Sequence, residues 1–517
     1  MFARILDASL RNRVLVLAAA AVLLAWGAYQ ATRTPIDVFP DLDKPTVVVM
    51  TEAGGTAPEE VEQLIAFPLE TAMTGLPGVE TVRSVSAAGL AIVTVTFRWD
   101  VDVYRARQFV AERLAALESS LPAGVVPRMG PVTSIMGEIM HVSLPIDPRR
   151  ATPMAVREYA DWVLRPRLVA IPGVAQVIPI GGEVRQFQVL PDTQRMAELG
   201  VTLEGMQGAL RAFASNTAGG FLSMGGREVL IRHVGRTVRL EDLRGVPVGT
   251  AAGGRPILLS QVAEVRFGAA VRRGDAGLDG RAAVILSVQK QPGADTVALT
   301  RRLEAALDEA ARTLPAGIEA PRVTFRQADF VEASVGNLRT KLGAAAAVIA
   351  AIVLLFLGNW RMTLISLTAI PLSIVVAILT FRWLGLSINT MTLGGLAIAI
   401  GALVDDAIVD VENVVRRLRE NAAQPAEAHK PAAVVVRDAT LEIRTSIVFA
   451  TVIIVLVFLP IFGLSGVEGR LMTPLAYAYV MALIASLAVA IVVTPALCFA
   501  FLPSARSITE GGEGRLA

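Results

Sequence analysis

Three aspartates, Asp405, Asp406 and Asp410, with Glu412 close behind, sit in a stretch that otherwise reads as membrane. It runs from Ile388 to Val415, INTMTLGGLAIAIGALVDDAIVDVENVV. An acid at the centre of a bilayer costs about 2.5–3.5 kcal/mol on insertion scales. A helix that carries several uses them, and the usual uses are a proton relay or an ion path. Asp406 and Asp410 are four apart and share one helix face. Asp405 and Glu412, seven apart, share a neighbouring face. Like charges this close in a low dielectric cannot all be ionised, which suits a site that loads and releases protons. For Asp410 and Glu412 a second reading stands beside this one: both lie at the helix end, in the headgroup zone.

The elements that must position these acids are read from the same stretch. Gly394, Gly395 and Gly401 precede the acids, and small residues let a neighbouring helix approach closely. Such a contact would press the acids against another span.

Other chemistry is weakly signalled. Met129, Met136, Met140 and His141 form a soft-ligand group in MGPVTSIMGEIMH. Thioethers favour Cu(I), and methionine also fills gaps in cores; both readings stand, with Met136, Met140 and His141 as the metal candidates. The other histidines, His233 and His429, lack ligand spacing. The single cysteine, Cys498, can form no internal disulfide. None of the four lysines, Lys44, Lys290, Lys341 and Lys430, follows a glycine, so there is no phosphate-binding loop and no resident nucleotide chemistry. The glycines of GGFLSMGG (Gly219–Gly226) lack a strand–helix context and read as a hairpin turn. No hydrolytic triad or paired catalytic histidine stands out, and no enzyme activity is expected. No cofactor is expected, and protons would be the coupling ion.

The chain has 517 residues, 53% hydrophobic and 18% charged, with a mean hydropathy of +0.56. That combination fits a membrane bundle joined to a soluble domain. A net charge of +2 gives no argument for nucleic acid. Six apolar segments are expected to span: about Val14–Thr32, Leu342–Leu357, Met362–Trp383, Met391–Val415, Ile443–Phe462 and Leu475–Leu502. The second is short and should begin upstream of Leu342. Arg4, Arg11 and Arg13 precede the first span; Arg361 sits between the second and third. Arg416, Arg417, Arg419, Lys430, Arg437 and Arg444 are assigned to the loop between the fourth and fifth. Positive-inside placement then puts both termini in the cytoplasm and the roughly 300 residues from Arg33 to Leu338 outside.

That outer region carries a duplicated pattern. The strand Thr46–Met50 reads as buried on both faces, since TVVVM alternates poorly. The helix Pro58–Met73 follows, with Thr56 as its expected cap, then LPGVETV, the strand Ala91–Phe97 and the helix Val103–Leu117. The second copy has the strand Met140–Leu144, the helix Met154–Ala170, then IPGVAQV and the strand Arg185–Leu190. It resumes at Ala282–Gln289 and closes with the helix Asp295–Leu314, after a glycine- and arginine-rich insertion near 219–274. The order suggests two split ferredoxin-like α+β units.

One span, a long outer loop of two α/β repeats and five further spans resembles half of a resistance-nodulation-division (RND) efflux pump. GALVDDAIVDVENVVRRLRE is similar to the family's fourth-span signature, and PIDVFPDLDKPTVVVMTEAGGTAPEEVEQLIAFPLETAM to the start of its first porter subdomain. VQKQPGADTVALT and LGNWRMTLISLTAIPLS also fit, and the style is that of the heavy-metal efflux branch. The resemblance implies a proton relay at Asp405, Asp406, Asp410 and Glu412, and export of a metal cation or other toxic compound. It implies a six-span transmembrane bundle plus an α+β periplasmic porter domain, whose β-rich insertion docks a neighbouring subunit. The parts would be residues 1–32 (N-terminus and first span), 33–338 (porter region), 339–503 (spans two to six) and 504–517 (cytoplasmic tail). The implied partners are the Gram-negative inner membrane, a second RND half, a homotrimer or equivalent assembly, a periplasmic adaptor (membrane fusion protein) and an outer-membrane channel.

Two departures matter. The family has two such halves, and the relay's lysine and hydroxyl partners lie in the other one. The copper/silver branch also has methionine at the positions of Leu403 and Asp410, whereas the Asp405–Asp406 pair resembles drug-efflux members. With no lysine inside a span and the arginines assigned near span ends, the acids are expected to lack a cationic partner in this chain. An accessory subunit of protein translocation (Sec-type) shares the one-plus-five layout, and an inactive fragment is the third reading. Replacing the acids tests the first: Asp405→Asn and Asp406→Asn should each keep folding but abolish proton-coupled resistance in an efflux-deficient strain. Full resistance in both variants at normal expression would defeat the relay.

Overall fold

The computed structural model describes residues 2–31, 36–37, 42, 44–117, 120–132, 137–213, 218–232, 237–251, 253–272, 274–383 and 388–503. The polar tail Ser504–Ala517 lies outside them. The chain divides into two compact units: Met1–Ile139 with Lys290–Arg301 and Arg326–Ala517, and Met140–Gln289 with Arg302–Phe325.

The first unit opens with a helix that hydropathy alone did not announce. α1 (Phe2–Arg11) is separated by Asn12 from α2 (Arg13–Ala31). Leu6 and Leu10 of α1 are buried in the helical core, and Asp7 Oδ1 accepts from Arg437 Nε at 2.6 Å.

An antiparallel sheet follows. Its strands are β1 (Thr46–Glu52), β2 (Val79–Ala87), β3 (Leu90–Phe97) and β4 (Pro127–Met129), in the order β2-β3-β1-β4. Its two helices are α3, built of the pieces Pro58–Val61, Glu62–Ala66 and Phe67–Met73, and α4 (Val103–Leu117). This is the connectivity of a split β-α-β unit. Val47, Val49, Val93, Val95 and Phe97 are buried with Val61, Ile65, Leu69 and Met73 of α3 and Ala106 and Val110 of α4. The expectation that β1 is buried on both faces is corrected. Met50 is exposed and Val48 half-buried, because only one face of the sheet carries helices. The helix cap is corrected too: Ala57, not Thr56, is the capping residue, and its N–H donates to Glu60 Oε2 at 3.3 Å. Glycine is required where LPGVETV turns into β2. Gly78 has φ +79°, and a Cβ there would lie 2.5 Å from Val101 Cγ2.

The second unit repeats the plan. β5 (Glu138–Pro145) is followed by α5, in the pieces Pro153–Tyr159, Ala160–Leu164 and Arg165–Val169, and by β6 (Val174–Ile180). In both α3 and α5 the middle piece is a π-turn placed just before a proline, Pro68 or Pro166. A proline has no N–H for the helical ladder, and the extra residue of a π-bulge absorbs the break.

The insertion's bounds are wider than composition indicated. β7 (Arg185–Pro191) does not serve as the second unit's own strand. It pairs antiparallel with β8 (Ala263–Ala269), from Arg185↔Ala269 to Pro191↔Ala263. Between them lies a separate core of Met196, Val201, Met206, Val248, Ile257, Leu259 and Val262. Composition marked only the part near 219–274, which includes the hairpin Ala218–Met224/Arg227–Arg232, whose turn glycines Gly225 and Gly226 both have positive φ. After the insertion come β9 (Arg281–Lys290), α6 (Thr296–Ala311) and β10 (Arg322–Arg326). The strand order β6-β9-β5-β10 matches that of the first sheet.

Five long helices complete the first unit: α7 (Gln327–Leu357), α8 (Trp360–Trp383), α9 (Thr390–Ala422), α10 (Ala432–Phe458) and α11 (Gly466–Phe501). Among the described residues five segments are long and apolar enough to cross a membrane: Arg13–Gln30, Trp360–Phe381, Thr390–Ala422, Ala432–Gly463 and Gly466–Phe501. The sixth expected span is the shorter apolar stretch Gly343–Leu357, the distal part of α7. It ends at Gly358, whose φ of +56° makes the tight turn before α8. One core joins Val411, Val414 and Leu418 of α9 to Val436 and Ala439 of α10 and Val493 and Cys498 of α11. Another joins Leu396, Ala399 and Leu403 to Phe381 of α8 and Ala478 and Leu483 of α11.

Residues 33–338 expressed alone should give mixed α/β circular dichroism and melt cooperatively. Leu259→Ala, which empties a fully buried position in the insertion core, should lower its unfolding free energy by about 2–5 kcal/mol in denaturant titration.

Candidate functional site

The acid helix α9 begins at a reciprocal cap. Asn389 Oδ1 accepts from the Thr392 N–H at 2.9 Å, and the Asn389 N–H donates to Thr392 Oγ1 at 2.8 Å. From that fixed start the buried stripe runs through Gly395, Ala399, Leu403, Ala407, Asp410 and Val414. Helical periodicity therefore separates the acids. Asp406 and Asp410 lie on or beside the stripe, the first half-buried and the second buried; Asp405 and Glu412 lie on exposed faces.

Asp406 lies beside the Ser486 hydroxyl of α11. Asp410 faces Arg444 of α10, with Nη2 and Oδ2 3.7 Å apart and both side chains 3% exposed. Arg444 Nη2 also donates to the backbone O of Ala490 on α11 at 2.9 Å. One guanidinium thus ties three helices together at the depth of the acids. Below it, Asn413 Nδ2 donates to Ala439 O at 2.8 Å, Arg416 Nη2 donates to Asn413 Oδ1 at 2.7 Å, and Arg417 Nε donates to Glu442 Oε2 at 2.9 Å. The bonds to Ala439 and Glu442 fix α9 against α10, and the Arg416 bond orients Asn413.

Arg444 corrects the expectation that no cation accompanies the acids. It belongs to α10, not to the preceding loop, and is buried. It stands beside Ile443 at the very start of the apolar run, where an arginine reads as a loop charge. A signal was present: Val436, Thr440, Arg444, Ile447 and Thr451 recur at helical spacing, and all five are buried. Ser486 was missed because a serine in an apolar run carries no distinctive pattern.

The three glycines differ. A Cβ on Gly395 would lie 2.4 Å from Leu475 O and 2.9 Å from Ala478 Cβ, so α9 and α11 meet there backbone to backbone. A Cβ on Gly394 or Gly401 would meet no described atom within 4 Å.

The soft-ligand candidates sit elsewhere. Met136 lies outside the described residues, as does His233. Met140 is fully buried in β5, and the His141 ring packs against the Phe325 ring, centroids 5.1 Å apart. Met129 packs at the edge of the first sheet's core. Among the described residues no group of three or more His, Cys, Asp or Glu is arranged to hold a metal ion.

The comparisons agree with a transport architecture. The AcrB/AcrD/AcrF family model matches residues 5–515. The chain is 35% identical over 512 residues to the cation efflux system protein CzcA of Alcaligenes sp. (strain CT14), covering 97% of this chain and 48% of that protein. It is 35% identical over 498 residues to the cation efflux system protein CusA of Escherichia coli (strain K12), covering 95% and 47%. The crystal structure of a heavy metal efflux pump (crystal form I) superposes with a TM-score of 0.83 at 27% identity, covering 95% of this chain and 48% of that one. The chain spans about half the length of the curated relatives it matches.

Gly395→Ala should force α9 from α11 and destabilise the detergent-purified protein by about 1–3 kcal/mol. Gly394→Ala and Gly401→Ala should leave its melting temperature unchanged. Equal losses at all three positions would contradict the close approach at Gly395.

Proposed function

The chain belongs to the AcrB/AcrD/AcrF family, and on that premise we propose that it is the N-terminal half of a proton-driven RND exporter of heavy-metal cations or other toxic compounds. The observation that carries this reading is the placement of Asp406 and Asp410 on the inner side of an apolar helix, beside Ser486 and Arg444. Carboxylates so placed take up and release protons, and the helices they touch feel each change of charge. Proton movement then shifts α9 against α10 and α11. The α/β units transmit that shift to a substrate outside the membrane.

In this reading α7 supplies a sixth span through Gly343–Leu357, and residues 33–338 are periplasmic in a Gram-negative inner membrane. A second six-span half supplies further relay partners for the exposed Asp405 and Glu412. The protein acts as a trimer, or its equivalent in paired halves, with a periplasmic adaptor and an outer-membrane channel. The hairpin of the insertion supports subunit docking: Phe221 is 69% exposed and Met224 63% exposed, more apolar surface than a solvated hairpin normally presents. Cation export is favoured over drug export by the named activities of the CzcA and CusA relatives. No resident cofactor is needed; protons are the coupling ion and the metal is cargo. The family match speaks against a Sec-type accessory subunit.

Proteoliposomes carrying the chain together with a second half should show metal-dependent proton flux. The chain alone should show none. Robust coupled flux from the chain alone would make it a self-sufficient transporter and overturn the half-pump reading.

A further inference from the structure

We propose that Arg444 is the fixed positive charge of the coupling site: it pairs with Asp410 inside the helix bundle and positions the Asp406–Asp410 face. The inference rests on the proton-transport reading and adds to it a residue supplied by this chain itself.

The first argument is burial. Asp410 and Arg444 are each only 3% exposed. A lone ion at that depth is far less stable than in water, and breaking such a pair strands the survivor. The second argument is how poorly the pair is satisfied. A separation of 3.7 Å exceeds a normal charge-assisted hydrogen bond. Among the described residues, Asp410 Oδ1 and Oδ2 and Arg444 Nη1 have no hydrogen-bond partner. A bridge serving stability alone needs those bonds to offset desolvation. This one leaves both carboxylate oxygens free to take a proton.

The third argument is the surrounding ladder. On α11, Ser486, Ala490, Thr494 and Cys498 recur every four residues, so they share one face. Ser486 lies beside Asp406, and the Ala490 carbonyl holds Arg444. The Thr494 hydroxyl is buried without a partner among the described residues, and Cys498 lies within electrostatic reach of Asp410. From α8, Ser366 Oγ donates to the Ala407 carbonyl at 3.4 Å. Of the charged groups on these helices, Arg444 is the cation held against Asp410. A guanidinium stays protonated throughout the physiological range, so the charge that changes is on the acids.

The test is a double-mutant cycle on the whole chain. Arg444→Met, Arg444→Lys, Asp410→Leu and the double variant Asp410→Leu/Arg444→Met are compared by melting temperature in detergent. Metal-dependent proton flux is then measured in proteoliposomes with the second half. Arg444→Met should lower the melting temperature and lose most of the flux. The double variant should regain the melting temperature, because an apolar pair replaces the ionic one, yet stay without flux. Arg444→Lys should keep the fold and part of the flux. Wild-type flux in the double variant would make the pair merely structural and overturn the proposal. So would melting-temperature losses that simply add in the double variant, since they would show no pairing. Absence of flux from the wild type would instead refute the transport reading, and it would be seen before any variant is compared.

Discussion

A carboxylate inside a helix bundle of this hydropathy is stable only where its surroundings replace water, and much of the membrane architecture follows from that requirement. Asp410 is enclosed by α9, α10 and α11, and the guanidinium of Arg444 reaches it from the second of these. Arg444 reaches only because the backbones are held close. Its Nη2 is anchored on the Ala490 carbonyl, and Gly395 lets α11 touch α9 without an intervening side chain. The bonds of Asn413 and Arg417 to α10 then fix the rotation of α9, which decides which acids face inward.

Rotation explains why adjacent residues differ in role. Asp405 and Asp406 are about 100° apart around the helix. One meets Ser486 and the other points away from this chain's own helices.

The α/β region answers a different constraint. Two sheets share one strand order although their sequences differ, and both carry a π-turn just before a proline of the first crossover helix. The insertion enters between the second and third strands of the second sheet and closes on itself through β7 and β8. Because it closes with its own core, it adds a surface without disturbing the parent strand order.

The sequence alone determined what periodicity and residue type encode: the apolar helices, Asp406 and Asp410 on one helix face, the strand–helix repeats and the family. These are local properties, since a stretch of 28 residues from Ile388 to Val415 carries its own hydropathy and helical phase. The tertiary structure alone decided the pairings between distant segments. Arg444 meets Asp410 across 34 positions, Asp406 finds Ser486 across 80, and Arg185–Pro191 pairs with a strand beyond residue 262 rather than with its sequence neighbours. Such contacts depend on how helices rotate and sheets close, and no single segment's pattern records the partner that will lie against it. An arginine at the edge of an apolar run reads as a loop charge until the opposing helix supplies the carboxylate that holds it inside.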